Sequence, residues 1–177
     1  MDGPPAITET VLSERQIQRR VDELGARISA DYQGREPLVV AVLRGAAIFH
    51  ADLIRRLEPH ISIDFIAVSS YGAETQSSGE VKLIKDLESG VHDTDLILVE
   101  DIVDTGLTLD YLVRLLQSRR PRSLRVCSLL SKPSRRQVPA RIDYLGFEIP
   151  DRFVVGYGLD LNQRFRNLPY IGAVDGI

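Results

Sequence analysis

Val99-Glu100-Asp101-Ile102-Val103-Asp104-Thr105-Gly106-Leu107-Thr108-Leu109 is the stretch on which the reading of this chain turns. It continues an apolar strand pattern, Leu96-Ile97-Leu98-Val99, and runs into a helical pattern with apolar Leu109, Leu112, Val113 and Leu116. Glu100, Asp101 and Asp104 are therefore expected at or just beyond the carboxyl end of a buried strand, where open α/β sheets bind ligands. The turn Thr105-Gly106-Leu107-Thr108 enters the helix. Backbone N–H groups there have no intrahelical acceptor and carry the positive end of the dipole, which suits a phosphate. Carboxylates that can hold Mg²⁺ or sugar hydroxyls, beside a phosphate cradle, point to a phosphorylated sugar.

Taken singly, Asp104-Thr105-Gly106 could be only a turn and Thr108 only a helix cap. Their setting argues for more. From Asp86 to Asp110 there are eight acids and no Lys or Arg. Carboxylates clustered in this way repel one another unless a metal or hydrogen-bond donors hold them.

Working outward, strands alternate with helices. Ser13-Glu14-Arg15-Gln16 is a capping-box pattern, followed by a stripe of Ile17, Val21, Leu24 and Ile28. Leu38–Leu43, Ile61–Val68, Leu96–Val99 and Leu124–Leu130 read as strands, and Ala46–Leu57 as a helix. Strands apolar on both faces, alternating with helices, predict an α/β fold: an open parallel sheet with helices on both faces. From about Val138 onward Pro139, Pro150, Pro169 and several glycines break the alternation.

At 177 residues one domain is expected, large enough to bury ~70% of its unfolded surface. No apolar run approaches the ~18 residues of a membrane span, and Met1-Asp2-Gly3-Pro4-Pro5 is no signal peptide, so a cytoplasmic protein is expected. The single cysteine, Cys127, lies in an apolar stretch and reads as core. His50, His60 and His92 show no metal-ligand spacing and read as ordinary helix or surface residues.

Other stretches could carry chemistry. Leu43-Arg44-Gly45 ends a strand: Gly45 admits close approach of a ligand, and Arg44 supplies fixed positive charge. Ser69–Gly79 is a polar loop rich in Ser, Gly, Thr and Gln. Lys132 follows the strand Leu124–Leu130 and so belongs to the same sheet edge.

The central motif resembles the signature of the type I phosphoribosyltransferases, which bind 5-phosphoribosyl-1-diphosphate (PRPP). The likeness to their bacterial hypoxanthine (hypoxanthine-guanine) members covers nearly the whole chain. It includes Leu43-Arg44-Gly45-Ala46, Ser69-Ser70-Tyr71-Gly72, Lys132, and Gly146-Phe147-Glu148-Ile149-Pro150-Asp151 through Asn167-Leu168-Pro169-Tyr170.

The resemblance implies a single phosphoribosyltransferase domain over residues 1–177, with a mobile lid at about 69–82 bearing Ser70 and Tyr71. It also implies a hood built from the amino-terminal residues and about 138–177. The implied chemistry is purine salvage: Mg²⁺-dependent transfer from PRPP to hypoxanthine, and to guanine, giving IMP or GMP and diphosphate. Asp104 stands near the base N7 and takes a proton as N9 attacks the ribose; adenine-specific relatives commonly carry a small residue there. Glu100 and Asp101 serve the metal, Asp160 supports a second Mg²⁺ site, and Arg44, Gly45 and Arg166 serve the diphosphate, with a cis peptide often preceding the basic residue. Asp104, Thr105, Gly106, Leu107 and Thr108 surround the ribose 5′-phosphate. Lys132 donates to the 6-oxo group, Phe153 stacks on the purine and the Val154 backbone meets its edge. A homo-oligomer, dimer or tetramer, is implied, with no membrane or nucleic-acid partner.

A regulator of nucleotide genes on the same fold is the alternative. Arg114 to Arg141 holds nine basic residues and no acid, a run that could face RNA. The net charge of −3 and the few aromatics argue against a dedicated nucleic-acid binder.

Overall fold

The computed structural model describes residues 6–58, 60–70 and 81–175. Strand β1 (Ile7–Leu12) leads into α1 (Glu14–Asp31). The start of α1 is set by a capping box: Ser13 N–H donates to Gln16 Oε1 at 2.9 Å, and Gln16 N–H donates to Ser13 Oγ at 3.3 Å. The apolar stripe Ile17, Val21, Leu24 and Ile28 is buried along its length, as the spacing predicts.

Six strands form the main sheet: β2 (Leu38–Leu43), β3 (Ser62–Ser70), β4 (Val81–Lys85), β5 (Asp95–Val103), β6 (Ser123–Ser131) and β7 (Tyr144–Glu148). Their apolar runs are explained by burial on both sides. Val39, Ile97 and Val99 join the core under α1 and α2 (Ala47–Ile54). Their strand neighbours Val40, Leu96 and Leu98 join a second core under α3 (Leu107–Ser118). Alternate side chains thus enter opposite layers, the reason such strands read as unbroken apolar stretches.

The spatial order is β4-β3-β2-β5-β6-β7. From β2 the chain passes outward to β3, and from β5 it passes the other way to β6, so the order reverses between β2 and β5. Pairing of these two parallel strands runs from Leu38↔Leu96 to Ala41↔Val99 and stops, while β2 continues with β3 and β5 with β6 as far as Val103↔Ser131. A crevice therefore opens between the carboxyl ends of β2 and β5, the switch point at which such sheets take ligands.

Three differences from the sequence reading have physical causes. The sheet is not wholly parallel: β4 adds to the β3 edge in antiparallel register. Strand β5 runs on past the expected end at Val99 to Val103, because pairing with β6 continues, so Glu100 and Asp101 sit within the strand end and Asp104 just beyond it, as expected. The boundary placed near 138 is too early, since β7 is a parallel member of the main sheet beside β6. The hood is smaller, a three-stranded antiparallel sheet of β1, β9 (Ile171–Val174) and β8 (Phe153–Val155). It joins the chain's two ends, as the resemblance implies.

His50 is a buried residue of helix α2, with Nε2 3.2 Å from the Val39 carbonyl and burial holding its pKa below the ordinary value. Cys127 is fully buried, and burial pushes its thiol pKa up.

The basic run from Arg114 to Arg141 finds its counter-charges within the fold. Arg114 pairs with Asp110, Arg119 with Asp86, Arg122 with Asp93 and Asp95, and Arg125 with Asp31. Lys132 and Arg135 reach Asp104, and Arg141 reaches Asp143. Seven of the nine thus lie within 4.0 Å of a carboxylate, and Arg136 turns inward to backbone carbonyls. Chain segments that look uncompensated in sequence neutralise each other across α3 and β6, and nothing here supports an RNA-facing patch.

Candidate active site

The crevice encloses about 240 Å³, lined by Val42, Leu43 and Gly45 of the β2 end, by Val68, and by Glu100 to Gly106 with Thr108 and Leu109. Two carboxylates form its floor. Glu100 is only 5% exposed; burial first, and the Asp101 charge second, push its pKa well above the ordinary carboxyl value. Asp101 is pushed up to about 6, chiefly by burial and further by Asp160; the Ile102 N–H (2.9 Å to Oδ1) and the Arg166 charge oppose this. Among the described residues, neither acid has a basic side chain within 4.0 Å, unlike Asp86, Asp93, Asp95, Asp104 and Asp110. The two acids are unequal, as expected of adjacent strand positions, yet both line the crevice.

The residues that the resemblance links to diphosphate gather beside Gly45. The Leu43–Arg44 peptide bond is cis. Gly45 is required by space: a Cβ there would fall on Asp101 Oδ2 and lie 2.5 Å from its Cγ. Gly158, at φ +101°, packs against the Gly45 carbonyl oxygen, where any side chain would strike it. Arg166 donates to the Gly158 carbonyl at 2.6 Å and pairs with Asp160 at 2.6 Å. Gln163 Oε1 accepts from Arg44 Nη1 at 2.9 Å and from Arg166 Nη2 at 3.2 Å. Arg44, Gly45, Asp101, Asp160 and Arg166, far apart in sequence, are thus one cluster. Asp160 is committed to Arg166 and to the Gln163 N–H (2.8 Å), and its charge acts on Asp101.

One wall of the crevice is the turn into α3. Gly106, at φ +88°, precedes the helix, and the first closing bond is Asp110 N–H to the Gly106 carbonyl at 2.9 Å. The N–H groups of Gly106, Leu107, Thr108 and Leu109 come before that bond, and among the described residues only Leu107 N–H has a side-chain acceptor, the distant Thr105 Oγ1 at 3.4 Å. Thr108 is inside the helix and caps nothing. The turn is pinned from below: Gln137 N–H donates to the Thr105 carbonyl at 2.9 Å, and Arg136 donates to the carbonyls of Val103 and Asp104 at 2.9 and 2.6 Å.

Asp104 lies between two cations, with Arg135 Nε 3.1 Å from Oδ1 and Lys132 Nζ 4.0 Å from Oδ2. Lys132 is 6% exposed, its backbone N–H held by the Val103 carbonyl at 3.0 Å. It is therefore an inward-turned lysine and not a solvated loop residue. Phe153 opens β8 with 44% of its surface exposed, available for stacking, whereas Val154 is buried in the core and paired with Ala173. Arg135 ties the hood to Asp104, standing 3.6 Å from Asp151. Phe153, Val154 and Lys132 lie outside the lining of the crevice itself, as do Arg44, Asp160 and Arg166. Ser70 is the last residue of β3; Tyr71 and most of the expected lid lie outside the described residues.

Sequence reasoning missed Gly158, Gln163, Arg135 and Arg136. The run Gly156-Tyr157-Gly158, with glycines at φ +100° and +101°, carried a signal of close backbone approach. The other three had none, since their partners are distant in the chain.

Among the described residues no group of three or more ligating side chains is gathered for a metal. The donor set nonetheless fits Mg²⁺, a hard cation usually held by one or two carboxylates, with water and substrate phosphates completing its shell. Buried Glu100 and half-buried Asp101, with no basic side chain within 4.0 Å among the described residues, supply that.

A model of the phosphoribosyl transferase domain matches residues 8–162. The chain is 51% identical to a hypoxanthine-guanine phosphoribosyltransferase of Bacillus subtilis (strain 168), over 95% of this chain and 93% of that protein. A protein of the same description from Staphylococcus aureus (strain Mu50) is 49% identical, over 95% and 94%. Among solved structures, a hypoxanthine-guanine phosphoribosyltransferase from Bacillus anthracis with HEPES in its active site aligns with a TM-score of 0.91 at 46% identity, covering 96% of this chain and 99% of that one. No helix among the described residues is long and apolar enough to cross a membrane.

Proposed function

The chain belongs to the phosphoribosyl transferase family, within its hypoxanthine-guanine branch, and on that premise we propose that it transfers the 5-phosphoribosyl group of PRPP to hypoxanthine and guanine. The products are IMP or GMP and diphosphate, and Mg²⁺ is required. The observation that carries this reading is the unpaired carboxylate couple Glu100–Asp101 lying between an arginine cluster and a phosphate-type helix entry.

Each group has a task. The N–H groups from Gly106 to Leu109 hold the 5′-phosphate, with the Thr105 and Thr108 hydroxyls beside them. Arg44 and Arg166 meet the diphosphate with guanidinium forks matched to its oxygens. When bound at Glu100 and Asp101, Mg²⁺ supplies charge neutralisation for the leaving diphosphate.

Fixing the sugar between these groups accounts for most of the acceleration, since positioning alone can be worth roughly 7–11 kcal/mol. In the transfer, the bond from ribose C1 to the diphosphate oxygen breaks and a bond from C1 to purine N9 forms. The purine loses one proton, which Asp104 accepts at N7. Arg135 and Lys132 hold the Asp104 carboxylate in place; proton transfer of this kind contributes ~10²–10⁴-fold.

Lys132 donates to the 6-oxo group of the base. Adenine offers an amino group there, setting donor against donor, a buried mismatch that costs ~1–3 kcal/mol.

Initial rates with PRPP, Mg²⁺ and each of hypoxanthine, guanine, xanthine, adenine and uracil test the proposal. Hypoxanthine and guanine should be converted at least about tenfold more efficiently than adenine. Preferential use of uracil, or no conversion of any 6-oxopurine, would overturn it.

A further inference from the structure

Gln163 has an unusual position. Its side-chain oxygen accepts from Arg44 Nη1 at 2.9 Å and from Arg166 Nη2 at 3.2 Å, so one neutral oxygen joins two guanidinium groups that otherwise repel. The side chain is exposed, so packing does not explain its placement. Its origin is fixed by the backbone: φ is +65°, and its N–H donates to Asp160 Oδ2 at 2.8 Å. Arg166 is independently oriented by Asp160 and the Gly158 carbonyl, and its buried Nε has no partner among the described residues.

We propose that Gln163 is a positioning residue whose amide oxygen keeps Arg44 and Arg166 converged until an oxygen of the diphosphate group takes its place. The inference rests on reading these arginines as the diphosphate pair. An amide oxygen suits this task because it is a weaker partner than an anion: hydrogen bonds to ionised acceptors are roughly twice as strong as neutral ones. A phosphate oxygen arriving with its charge therefore displaces it. The arginines meanwhile remain gathered at little cost, and affinity benefits from the prior arrangement. A carboxylate at this position would compete with the ligand, pairing with both guanidiniums and repelling the incoming anion.

Calorimetric titration of the full chain with inorganic diphosphate in the presence of Mg²⁺, alongside KM values for PRPP and hypoxanthine, tests the inference. Gln163→Glu is nearly isosteric and suits the same backbone angle. It should raise the Kd for diphosphate and the KM for PRPP at least about tenfold, the equivalent of ~1.4 kcal/mol, and leave the hypoxanthine KM within about twofold. Gln163→Ala, which removes the placeholder without adding charge, should weaken diphosphate by no more than about threefold. Equal losses in the Glu and Ala variants would make Gln163 a direct ligand contact and overturn the proposal. So would a Glu variant within about twofold of the parent, or one that raises both substrates' KM alike. If the parent protein binds no diphosphate and transfers no phosphoribosyl group, the arginine assignment and this inference fall together. If the parent does both and the Glu variant is unchanged, only this inference falls.

Discussion

Replacing Gly45 by alanine adds one methyl group at the tightest point of the crevice. A Cβ at this position would overlap Asp101 Oδ2, lying 2.5 Å from Cγ and 3.1 Å from Oδ1, well inside ordinary contact. The loop is also hemmed in on its carbonyl side, where Gly158 packs against the Gly45 oxygen. The carboxylate must therefore rotate or recede. Overpacking of this kind costs about 1–3 kcal/mol of stability, a fall in Tm of roughly 2–12 °C for a domain of this size. Function should suffer more. A displacement near 1 Å in a positioning group costs ~10²-fold, so kcat/KM for PRPP should fall by about two orders of magnitude, or ~2.7 kcal/mol of transition-state binding. Steady-state kinetics at varied PRPP, paired with thermal melts, give both quantities. A soluble, folded Gly45→Ala protein retaining kcat/KM within about fivefold of the parent would refute the idea that Asp101 must occupy this place.

Three further outcomes are expected. Asp104→Asn keeps shape but not basicity and should lower turnover by about 10²-fold or more with PRPP binding retained; unchanged single-turnover rates would remove Asp104 from the proton transfer. Lys132→Met should narrow the hypoxanthine-to-adenine ratio of kcat/KM, chiefly by harming hypoxanthine, by an amount near the ~1–3 kcal/mol of the mismatch; an untouched ratio moves discrimination elsewhere. The third outcome concerns pH. Glu100 and Asp101 have native pKa values above their unfolded ones, so the stability they contribute is full below about pH 4 and is lost as pH rises through the native values, about 6 for Asp101. With chelator present, Glu100→Gln should therefore raise Tm at about pH 8 but leave it nearly unchanged at about pH 4.5; an equal effect at both pH values would contradict the burial argument.

What the sequence discloses and what it hides follow from the range of the interactions. The α1 stripe, β2 and the β5–α3 motif rest on periodicity and capping between near neighbours, and their ends fall within a few residues of the expected ones. Strands β4, β7 and β8 are five residues or fewer and owe their pairing to partners elsewhere, so local pattern gives little sign of them. The same holds in the site. Asp104 looks uncompensated within its own segment because Arg135 and Lys132 arrive from beyond β6. The Gly45–Asp101 contact is set by how β2 and β5 splay, and the link from Arg44 through Gln163 to Arg166 closes over more than a hundred residues, 119 between Arg44 and Gln163. Resemblance, and not residue pattern, supplied the assignments of Phe153, Val154 and Asp160; the structure puts Asp160 with the arginines and leaves Phe153 and Val154 in the hood.

On the proposed reading, buried Glu100 and half-buried Asp101, set between an arginine pair and a phosphate cradle, serve metal-assisted phosphoribosyl transfer. The most direct test is product analysis of the parent protein with PRPP and hypoxanthine, with Mg²⁺ and then with excess chelator. One equivalent each of IMP and diphosphate should form with Mg²⁺, and formation should cease with chelator and resume when Mg²⁺ is restored. IMP formation at an undiminished rate in excess chelator, or hypoxanthine left unconverted with Mg²⁺ present, would contradict it.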